Sequence, residues 1–203
     1  MTTEFTPPRR IVLGSTNAKK CLELRQLLEP LGYELLSLAE FGNAIDVDET
    51  GQTFMDNARL KAIAQARHLN EWTIGEDSGL CVPYLNGAPG IYSARYSAPT
   101  ATDARNNEKL LTELREARDE QRDAYYVSTI ALSAPSGQVS IEAEGRCWGR
   151  IIDEYRGSGG FGYDPLFEIR EYHRTFAELG ASVKGVLSHR GRALRKFIAQ
   201  LPA

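Results

Sequence analysis

The sequence predicts a mixed-sheet α/β protein in which a long antiparallel hairpin extends the central sheet as a lobe. Two observations predict this class. In the first half of the chain, short apolar strands alternate with amphipathic helical stretches, which is typical of a sheet with flanking helices. In the second half, strand-like runs at 125–133 and 139–148 flank a Pro-Ser-Gly turn and predict the hairpin.

The first half shows clear helix starts. Asn17 precedes a stretch of leucines at helical spacing, and Thr53 precedes a second amphipathic stretch, so we expect both residues to act as N-caps. The elements expected here are strands at 11–13, 33–38 and 72–75 and helices at 18–31 and 53–69. The third strand is expected to end at Glu76-Asp77-Ser78-Gly79, where charge replaces the apolar pattern.

The second half is expected to hold fewer helices. Asp103 and Ser188 are the candidate N-caps of its two helices. The elements expected here are a helix at 103–117, the hairpin, a glycine-rich turn at 157–162, a short strand at 166–169 and a final helix from 188 to about 200. Because no Gly/Ser-rich linker or repeat divides the sequence, we expect a single domain over 10–203 behind a loose leader at 1–9.

The composition excludes several classes of protein. The chain has 203 residues and is 42% hydrophobic, which is sufficient for a core and excludes an intrinsically disordered chain. No stretch approaches the ~20 apolar residues of a membrane helix, and no secretory signal is recognised, so we expect a cytoplasmic protein without a membrane partner. The three scattered cysteines argue against a disulfide framework or a zinc site. A net charge of −3 argues against a nucleic-acid partner.

The turn between the first strand and the first helix is a candidate phosphate site. Backbone N–H groups at a helix start attract phosphate, and Lys19 and Lys20 lie in the first turn, where they oppose the helix dipole. A bound anion would account for that placement, but a capped surface helix with two solvated lysines accounts for it as well. The segment is not a P-loop, because Lys19 and Cys21 stand where that motif needs Gly and Ser or Thr.

Two acidic clusters are candidates for metal binding and base catalysis. Asp48-Glu49 is expected in a loop and Glu76-Asp77 at a strand end. One or two carboxylates together with substrate phosphates are sufficient to hold Mg²⁺, while another carboxylate orients an attacking water. The alternative is that these are ordinary surface acids and that Asp77 caps a turn.

Two segments near the C-terminus are candidates for ligand recognition. Gly157, Gly159 and Gly162 match G-x-G-x-x-G, but Pro165 follows closely and disfavours the helix that a dinucleotide site requires. These glycines are better explained as a flexible turn that carries Phe161. His189-Arg190 suits a planar polar group, although a satisfied histidine and a surface cation explain the pair as well.

Taken together, these segments resemble the inosine triphosphate pyrophosphatase family (the Ham1-like XTP/dITP diphosphatases) from Ile11 to about Ala199. Seven segments carry the resemblance in the same order, which makes coincidence implausible. They are Ser15-Thr16-Asn17-Ala18-Lys19-Lys20, Glu49-Thr50-Gly51, the 53–62 stretch with Asn57 and Lys61, Asp77-Ser78-Gly79-Leu80, the 87–96 stretch, Gly160-Phe161-Gly162-Tyr163-Asp164-Pro165 and Ser188-His189-Arg190-Gly191.

The resemblance implies a mixed-sheet homodimer with a central substrate cleft. It also implies Mg²⁺-dependent hydrolysis of ITP, dITP and XTP to the monophosphate and pyrophosphate, which removes these nucleotides from the pool. Glu49 matches the metal-binding acid, and Asp77 matches the general base, which also touches metal. The expected substrate contacts are Ser15, Thr16, Asn17, Ala18, Lys19, Lys20 and Lys61 on the triphosphate, Ser78 beside Asp77, and Phe161, Gly162, Tyr163, Asp164, Lys184, His189 and Arg190 on the base.

Selectivity is expected to depend on position 6 of the purine. Inosine and xanthosine carry a carbonyl acceptor there, whereas adenosine carries an amino donor. Donor side chains at Lys184, His189 or Arg190 would match the carbonyl, and Phe161 would stack on the ring.

The sequence departs from the family pattern at three places, one of which is Gly185-Val186-Leu187 before Ser188, where Asn often appears. Glu76 stands where Asp is more usual, and Thr16 replaces a common Gly in the phosphate turn. None of these changes removes a charge that the chemistry needs, but Thr16 affects how closely that backbone can approach phosphate. The competing readings are a Maf-like pyrophosphatase, against which the Ser188-His189-Arg190-Gly191 segment argues, and a nucleotide sensor without turnover.

Overall fold

The computed structural model describes residues 9–201, and over this range the chain forms a seven-stranded sheet with flanking helices. The strands, in chain order, are β1 (Arg10–Leu13), β2 (Glu34–Ser37), β3 (Thr73–Cys81), β4 (Asp123–Ser133), β5 (Val139–Ile151), β6 (Phe167–Ile169) and β7 (Arg174–Thr175). The α-helices are α1 (Ala18–Leu28), α2 (Phe54–Leu69), α3 (Asp103–Glu113), α4 (Phe176–Leu187) and α5 (His189–Ile198). The order across the sheet is β2-β1-β3-β4-β5-β6-β7.

The sheet is mixed, as predicted. β1 pairs in parallel with both β2 and β3, whereas β5 pairs antiparallel with β6, and β6 pairs antiparallel with β7. β4 and β5 are neighbours joined by the short turn at 134–138, which is the predicted hairpin. The predicted fold class is therefore confirmed.

The described chain divides into two compact units. The first comprises the residues through Asp77, then Ser128–Gly145 and the chain from Arg190 on; the second comprises Ser78–Val127 and Arg146–His189. The single domain expected over 10–203 stays a prediction. The expected leader at 1–9 lies, apart from Arg9, outside the described residues.

The core of the first unit is aliphatic. Leu24 and Leu28 of α1 are buried with residues of β1, β3 and α5 in one cluster, so the predicted apolar stripe of α1 is the face that packs. The helix ends at Leu28 rather than at residue 31. Pro30 follows in a short 3₁₀ turn, and Gly32, with φ +79°, ends that turn in the left-handed region that favours glycine.

Helix α2 lies unusually close to β3. Thr53 caps the helix as predicted: its Oγ1 accepts the N–H of Asp56 at 3.1 Å, and Asp56 Oδ2 accepts the N–H of Thr53 at 3.2 Å. Gly75 of β3 permits the close approach, because a Cβ there would lie 1.9 Å from the carbonyl oxygen of Ala58. Asn57, the neighbour of Ala58, is thereby placed beside β3, where the charged residues lie.

The second unit has an aromatic core. Tyr126 lies 4.7 Å from the Phe167 ring, and Phe167 stacks on Phe176 at 5.3 Å, within a cluster that also buries Leu110 of α3. Helix α4 was not predicted from the sequence, because Gly180 and Gly185 interrupt its apolar pattern. Gly180 indeed kinks the helix with φ +76°.

The predicted boundaries of β3 and α3 are also wrong. β3 continues through Glu76 and Asp77 to Cys81, because the charges of both acids are paired. Two hydroxyls of β4 add hydrogen bonds: Ser128 Oγ donates to Glu76 Oε1, and Thr129 Oγ1 donates to the Asp77 carbonyl. Thr102, rather than Asp103, caps α3: its Oγ1 accepts the N–H of Arg105 at 3.2 Å, and the helix ends at Glu113.

Candidate active site

Two adjacent carboxylates in β3 organise the charged residues of the first unit. Glu76 is completely buried and Asp77 nearly so. Because successive side chains of a strand point to opposite faces, the two acids have different partners: Glu76 meets α1 and α5, and Asp77 meets α2. One strand therefore presents two separate ionic clusters.

The Asp77 cluster joins both sequence-predicted metal ligands to one lysine. Lys61 Nζ lies 2.9 Å from Asp77 Oδ1 and 2.9 Å from Glu49 Oε1. Asn57, one turn before Lys61 on α2, donates from Nδ2 to Asp77 Oδ2 at 3.2 Å. Its Oδ1 accepts the N–H of Gly51 at 2.8 Å, so the same amide holds the loop that carries Glu49. Helix α2 thus brings loop, lysine and strand together.

The electrostatics of this cluster favour a proton acceptor at Asp77. Burial raises the pKa of Asp77 and the nearby Glu49 carboxylate adds to the rise, which exceeds the opposing effect of Lys61. Burial disfavours the charged form of Lys61, but the carboxylates of Asp77 and Glu49 outweigh it and raise the pKa of the ammonium. Lys61 therefore stays protonated between two acids.

The Glu76 cluster is a buried carboxylate held by two cations. Lys20 Nζ lies 2.7 Å from Oε2, and Arg190 donates to Oε1 from Nη2 at 3.2 Å and from Nε at 3.3 Å. Ser128 Oγ also donates to Oε1, at 2.8 Å, and Arg190 Nη1 bonds to Glu23 of α1. Burial would raise the pKa of Glu76, but Arg190 and Lys20 outweigh it and hold the pKa well below its usual range.

The expected phosphate turn precedes α1. Asn17 caps the helix as predicted: its Oδ1 accepts the N–H groups of Lys19 and Lys20 at 3.1 and 3.2 Å. Ser15 Oγ accepts the N–H of Asn17. Thr16, Asn17, Ala18 and Lys19 are exposed, and Ser15 and Lys20 are half-buried. The segment therefore presents side chains at the surface beside the Glu76 cluster, which Lys20 joins.

A second group of predicted residues lies in the second unit, on the glycine-rich turn. Asp164 Oδ2 accepts both the N–H of Phe161 at 2.9 Å and the Lys184 ammonium at 2.6 Å. Lys184 Nζ lies 4.4 Å from the centre of the Phe161 ring. Lys184 and Asp164 are buried, whereas Phe161 is half-buried. An aromatic ring and a cation are thus held by one carboxylate.

Two neighbouring predicted residues complete this part of the second unit. His189 is buried and stacks on Tyr126, with ring centres 4.7 Å apart. Tyr163 is also buried, and its hydroxyl donates to the carbonyl of Ser93 at 2.8 Å. Ser78 follows Asp77 along β3.

The structure thus gathers the predicted residues into two sets. The first unit holds the 15–20 turn, Glu49, Lys61, Asp77 and Arg190, and the second holds Ser78, Phe161, Gly162, Tyr163, Asp164, Lys184 and His189. Arg190 bonds to Glu76 and Glu23 in the first unit, whereas its chain neighbour His189 belongs to the second.

The sequence analysis named Glu76 only as part of an acidic pair with Asp77 and did not single out Glu23. Glu76 was noted as a departure from the family pattern, and a fully buried ionic centre could not be read from its neighbours. Glu23 follows Lys20 by three positions, so both lie on one face of α1. That spacing is the signal that could have placed it in the cluster.

Glu49 and Asp77 are the candidate ligands for a divalent metal ion. Within residues 9–201, three or more His, Cys, Asp or Glu side chains nowhere gather into a ready metal cluster. Glu49 and Asp77 nevertheless converge on a single ammonium, which shows that two carboxylates from separate segments reach one point. Mg²⁺ commonly uses one or two carboxylates and takes its other ligands from water and substrate phosphates. The residues present therefore fit such an ion bound together with a polyphosphate.

Comparisons with known proteins show which family the chain resembles. The Ham1 family model matches residues 11–200. A dITP/XTP pyrophosphatase from Rhodopirellula baltica is 53% identical over 94% of this chain and 92% of its own length. A dITP/XTP pyrophosphatase from Desulforamulus reducens is 46% identical over 92% of each chain. Every helix of the described residues falls short of the length and apolar character that crossing a bilayer requires.

Solved structures show the same relationship. A HAM1 protein from Coxiella burnetii superposes with a TM-score of 0.84 at 40% identity, covering 92% of this chain and 94% of that one. The Staphylococcus aureus Ham1 protein gives a TM-score of 0.82 at 39% identity, covering 94% and 96%. Sequence and fold agree over nearly the whole chain, and the chain therefore belongs to the Ham1 family.

Proposed function

We propose that this protein is a Mg²⁺-dependent nucleoside triphosphate pyrophosphatase that hydrolyses dITP, ITP and XTP to the monophosphate and pyrophosphate. The observation that carries the proposal is the Asp77 cluster, in which Lys61 lies 2.9 Å from both Glu49 and Asp77. The names of the two curated relatives, both dITP/XTP pyrophosphatases, support the substrate class.

The 15–20 turn and the Asp77 cluster are the parts proposed for the triphosphate. Hydrolysis at a phosphorus that already carries negative oxygens requires charge neutralisation and a positioned nucleophile. Lys61 and Lys20 provide the fixed positive charges, with Ser15, Thr16, Asn17, Ala18 and Lys19 as the expected backbone and side-chain contacts. Glu49 and Asp77 would hold Mg²⁺, which when bound supplies further charge neutralisation on the phosphate oxygens.

Asp77 acts as the general base in this proposal. Its carboxylate orients a water and accepts the proton as the water oxygen attacks phosphorus. Burial raises the pKa of Asp77, which makes the carboxylate a better proton acceptor than an exposed aspartate. Asn57 holds Oδ2 and Lys61 holds Oδ1, so the carboxylate plane is fixed before a substrate binds.

Phe161, Lys184 and their neighbours are the residues proposed for the base. Phe161 stacks on the purine ring, and the Lys184 ammonium, 4.4 Å from the centre of that aromatic ring, donates to the carbonyl at position 6. Adenine presents an amino group there, so a donor would face a donor. Gly162, Tyr163, Asp164, Ser78 and His189 shape this recognition surface. Arg190 is assigned instead to Glu76 and Glu23, to which it bonds.

A pyrophosphate-release assay across ITP, XTP, dITP, GTP, ATP and dTTP with Mg²⁺ tests the proposal. We expect release from the first three and little from ATP and dTTP. Preferred release from dTTP would favour the Maf-like alternative. Tight binding of ITP without release would instead identify a nucleotide sensor.

Lys184→Met is expected to narrow the preference for ITP over ATP by ~10-fold or more, because the donor to the position-6 carbonyl is lost. The measurement is kcat/KM for both nucleotides. Lys196→Met is the matched control, since Lys196 is an exposed lysine that donates to the Glu144 carbonyl. An unchanged ITP-to-ATP ratio in folded Lys184→Met would reject the assignment of Lys184.

The cellular setting follows from the same function. An enzyme that removes deaminated purine nucleotides must act where the nucleotide pool is, so we place the protein in the cytoplasm.

We also propose a homodimer, as the family resemblance implies. Light scattering of the purified protein would give about 45 kDa for the dimer, twice the 22.5 kDa of the chain, and 22.5 kDa would reject it.

A further inference from the structure

The turn that carries Phe161 is hydrogen-bonded to helix α3 through a single residue. The N–H of Gly162 donates to Asp103 Oδ2 at 2.9 Å, and Asn107 Nδ2 donates to the Gly162 carbonyl at 3.1 Å. Asp103 and Asn107 are four apart on α3 and so lie on the same face of the helix. Asp103 therefore binds the backbone N–H of Gly162, and Asn107 binds its backbone carbonyl. We name Asp103 and Asn107 the α3 clamp.

The α3 clamp acts on a backbone that is intrinsically mobile. Gly162 has φ +61°, and Gly160 on the other side of Phe161 has φ +74°. Glycine adopts such conformations readily but also leaves them readily, because no Cβ restricts the alternatives. The orientation of Phe161 therefore depends on hydrogen bonds from outside the turn.

Both sides of Phe161 are held in this way. On the N-terminal side, Asp164 Oδ2 accepts the N–H of Phe161 at 2.9 Å. On the C-terminal side, the α3 clamp fixes Gly162. The aromatic ring is thus oriented by Asp164, which follows the turn, and by Asp103 and Asn107 from helix α3.

Helix α3 is a rigid support for the clamp. Leu110, three positions after Asn107, is buried in the aromatic core of the second unit. Asn107 is itself buried, and its Oδ1 has no hydrogen-bond partner among residues 9–201. The bond from Nδ2 to Gly162 favours this amide orientation, since the flipped amide would place an oxygen against the Gly162 carbonyl, and Asn107 also bonds to Tyr155.

We propose that Asp103 and Asn107 are positioning residues that determine purine selectivity through Phe161. The proposal rests on the proposed function, in which Phe161 stacks on the base. A ring held at the correct angle covers the purine and brings its position-6 carbonyl to the Lys184 ammonium. Because a shift of about 1 Å in a positioned group can cost up to ~100-fold in rate, loss of the clamp should be measurable.

The test compares Asp103→Ala and Asn107→Ala with Glu108→Ala. Glu108 is exposed on the same helix and makes no contact with Gly162 among the bonds described above. For each protein, kcat and KM are measured for ITP and ATP, together with inhibition by inosine and by inorganic tripolyphosphate. Inosine carries the base without phosphates, and tripolyphosphate carries phosphates without the base.

We expect both clamp variants to raise KM for ITP by ~10-fold, to weaken inosine inhibition similarly and to lower the ITP-to-ATP ratio. The value of kcat and the inhibition by tripolyphosphate should stay at the wild-type level, because the residues proposed to contact the triphosphate are not part of α3 or of the Phe161 turn. Asp103→Asn keeps an acceptor oxygen for the Gly162 N–H, so its KM for ITP should be close to the wild-type value. If Asp103 only stabilised the fold, its variants would change kcat and KM together.

Three outcomes would overturn the inference. The first is an unchanged ITP-to-ATP ratio and unchanged inosine inhibition in folded Asp103→Ala, a substitution of an exposed residue. The second is a parallel loss of inosine and tripolyphosphate inhibition, which would indicate a general defect. The third is an equal effect of Glu108→Ala. Failure of the proposed function looks different, since wild-type protein itself would then release no pyrophosphate from ITP.

Discussion

Asp77→Asn is expected to lower kcat for ITP by ~100-fold to ~10,000-fold, the range that a positioned general base contributes. The carboxamide keeps the shape of the side chain, and its Oδ1 can still accept from Lys61, which also remains paired with Glu49 at 2.9 Å. One bond is lost, because the new Nδ2 meets the Nδ2 donor of Asn57. The fold and nucleotide binding should nevertheless persist. What is lost is the group that takes the proton from the attacking water.

The measurement is steady-state pyrophosphate release, together with calorimetric binding of ITP and a thermal unfolding curve. Asp46→Asn serves as the matched control, because Asp46 is an exposed aspartate in the segment that precedes Glu49. A kcat close to that of the wild type in Asp77→Asn would remove Asp77 from the role of base, whatever the other variants show.

Glu76→Gln is expected to lower the free energy of unfolding by ~3 kcal/mol. The Glu76 carboxylate contacts Lys20, Ser128 and the Nε of Arg190. Breaking a buried pair by removing one partner leaves an uncompensated charge in a poorly solvated place, which is the costly case. Glu23 continues to bond to Arg190 and limits the loss.

Urea unfolding at neutral pH measures this effect. Glu142→Gln is the control, since Glu142 pairs with Arg59 at 2.5 Å but at a partly exposed site, where loss of a pair costs at most about 1 kcal/mol. If Glu76→Gln unfolded within 1 kcal/mol of the wild type, the account of Glu76 as the centre of the buried cluster would be wrong.

Local features of the fold were predictable from the sequence because they depend on a few adjacent residues. Asn17 and Thr53 cap their helices by bonds that reach two or three residues along the chain. The Pro-Ser-Gly turn produces the hairpin for the same reason. Helix α4 was missed, since Gly180 breaks the pattern by which a helix is recognised, although tertiary packing of Phe176 stabilises it.

The site was less predictable, because its contacts join distant parts of the chain. Family resemblance identified Glu49, Lys61 and Asp77, but the approach of α2 to β3 depends on Gly75, which carries no chemistry of its own. β3 continues through Glu76 and Asp77 because cations from other segments of the chain neutralise these two carboxylates. The bond between Arg190 and Glu23 likewise joins residues 167 positions apart, which no local pattern predicts.

The central claim is that Glu49 and Asp77, together with Lys20 and Lys61, bind a magnesium-complexed polyphosphate. The Mg²⁺ dependence of pyrophosphate release from ITP tests it most directly, with wild type, Glu49→Gln and the exposed loop neighbour Asp48→Asn measured side by side. We expect Glu49→Gln to raise the half-saturating Mg²⁺ concentration by at least ~10-fold and Asp48→Asn to leave it unchanged. An identical Mg²⁺ requirement in wild type and Glu49→Gln would contradict the claim.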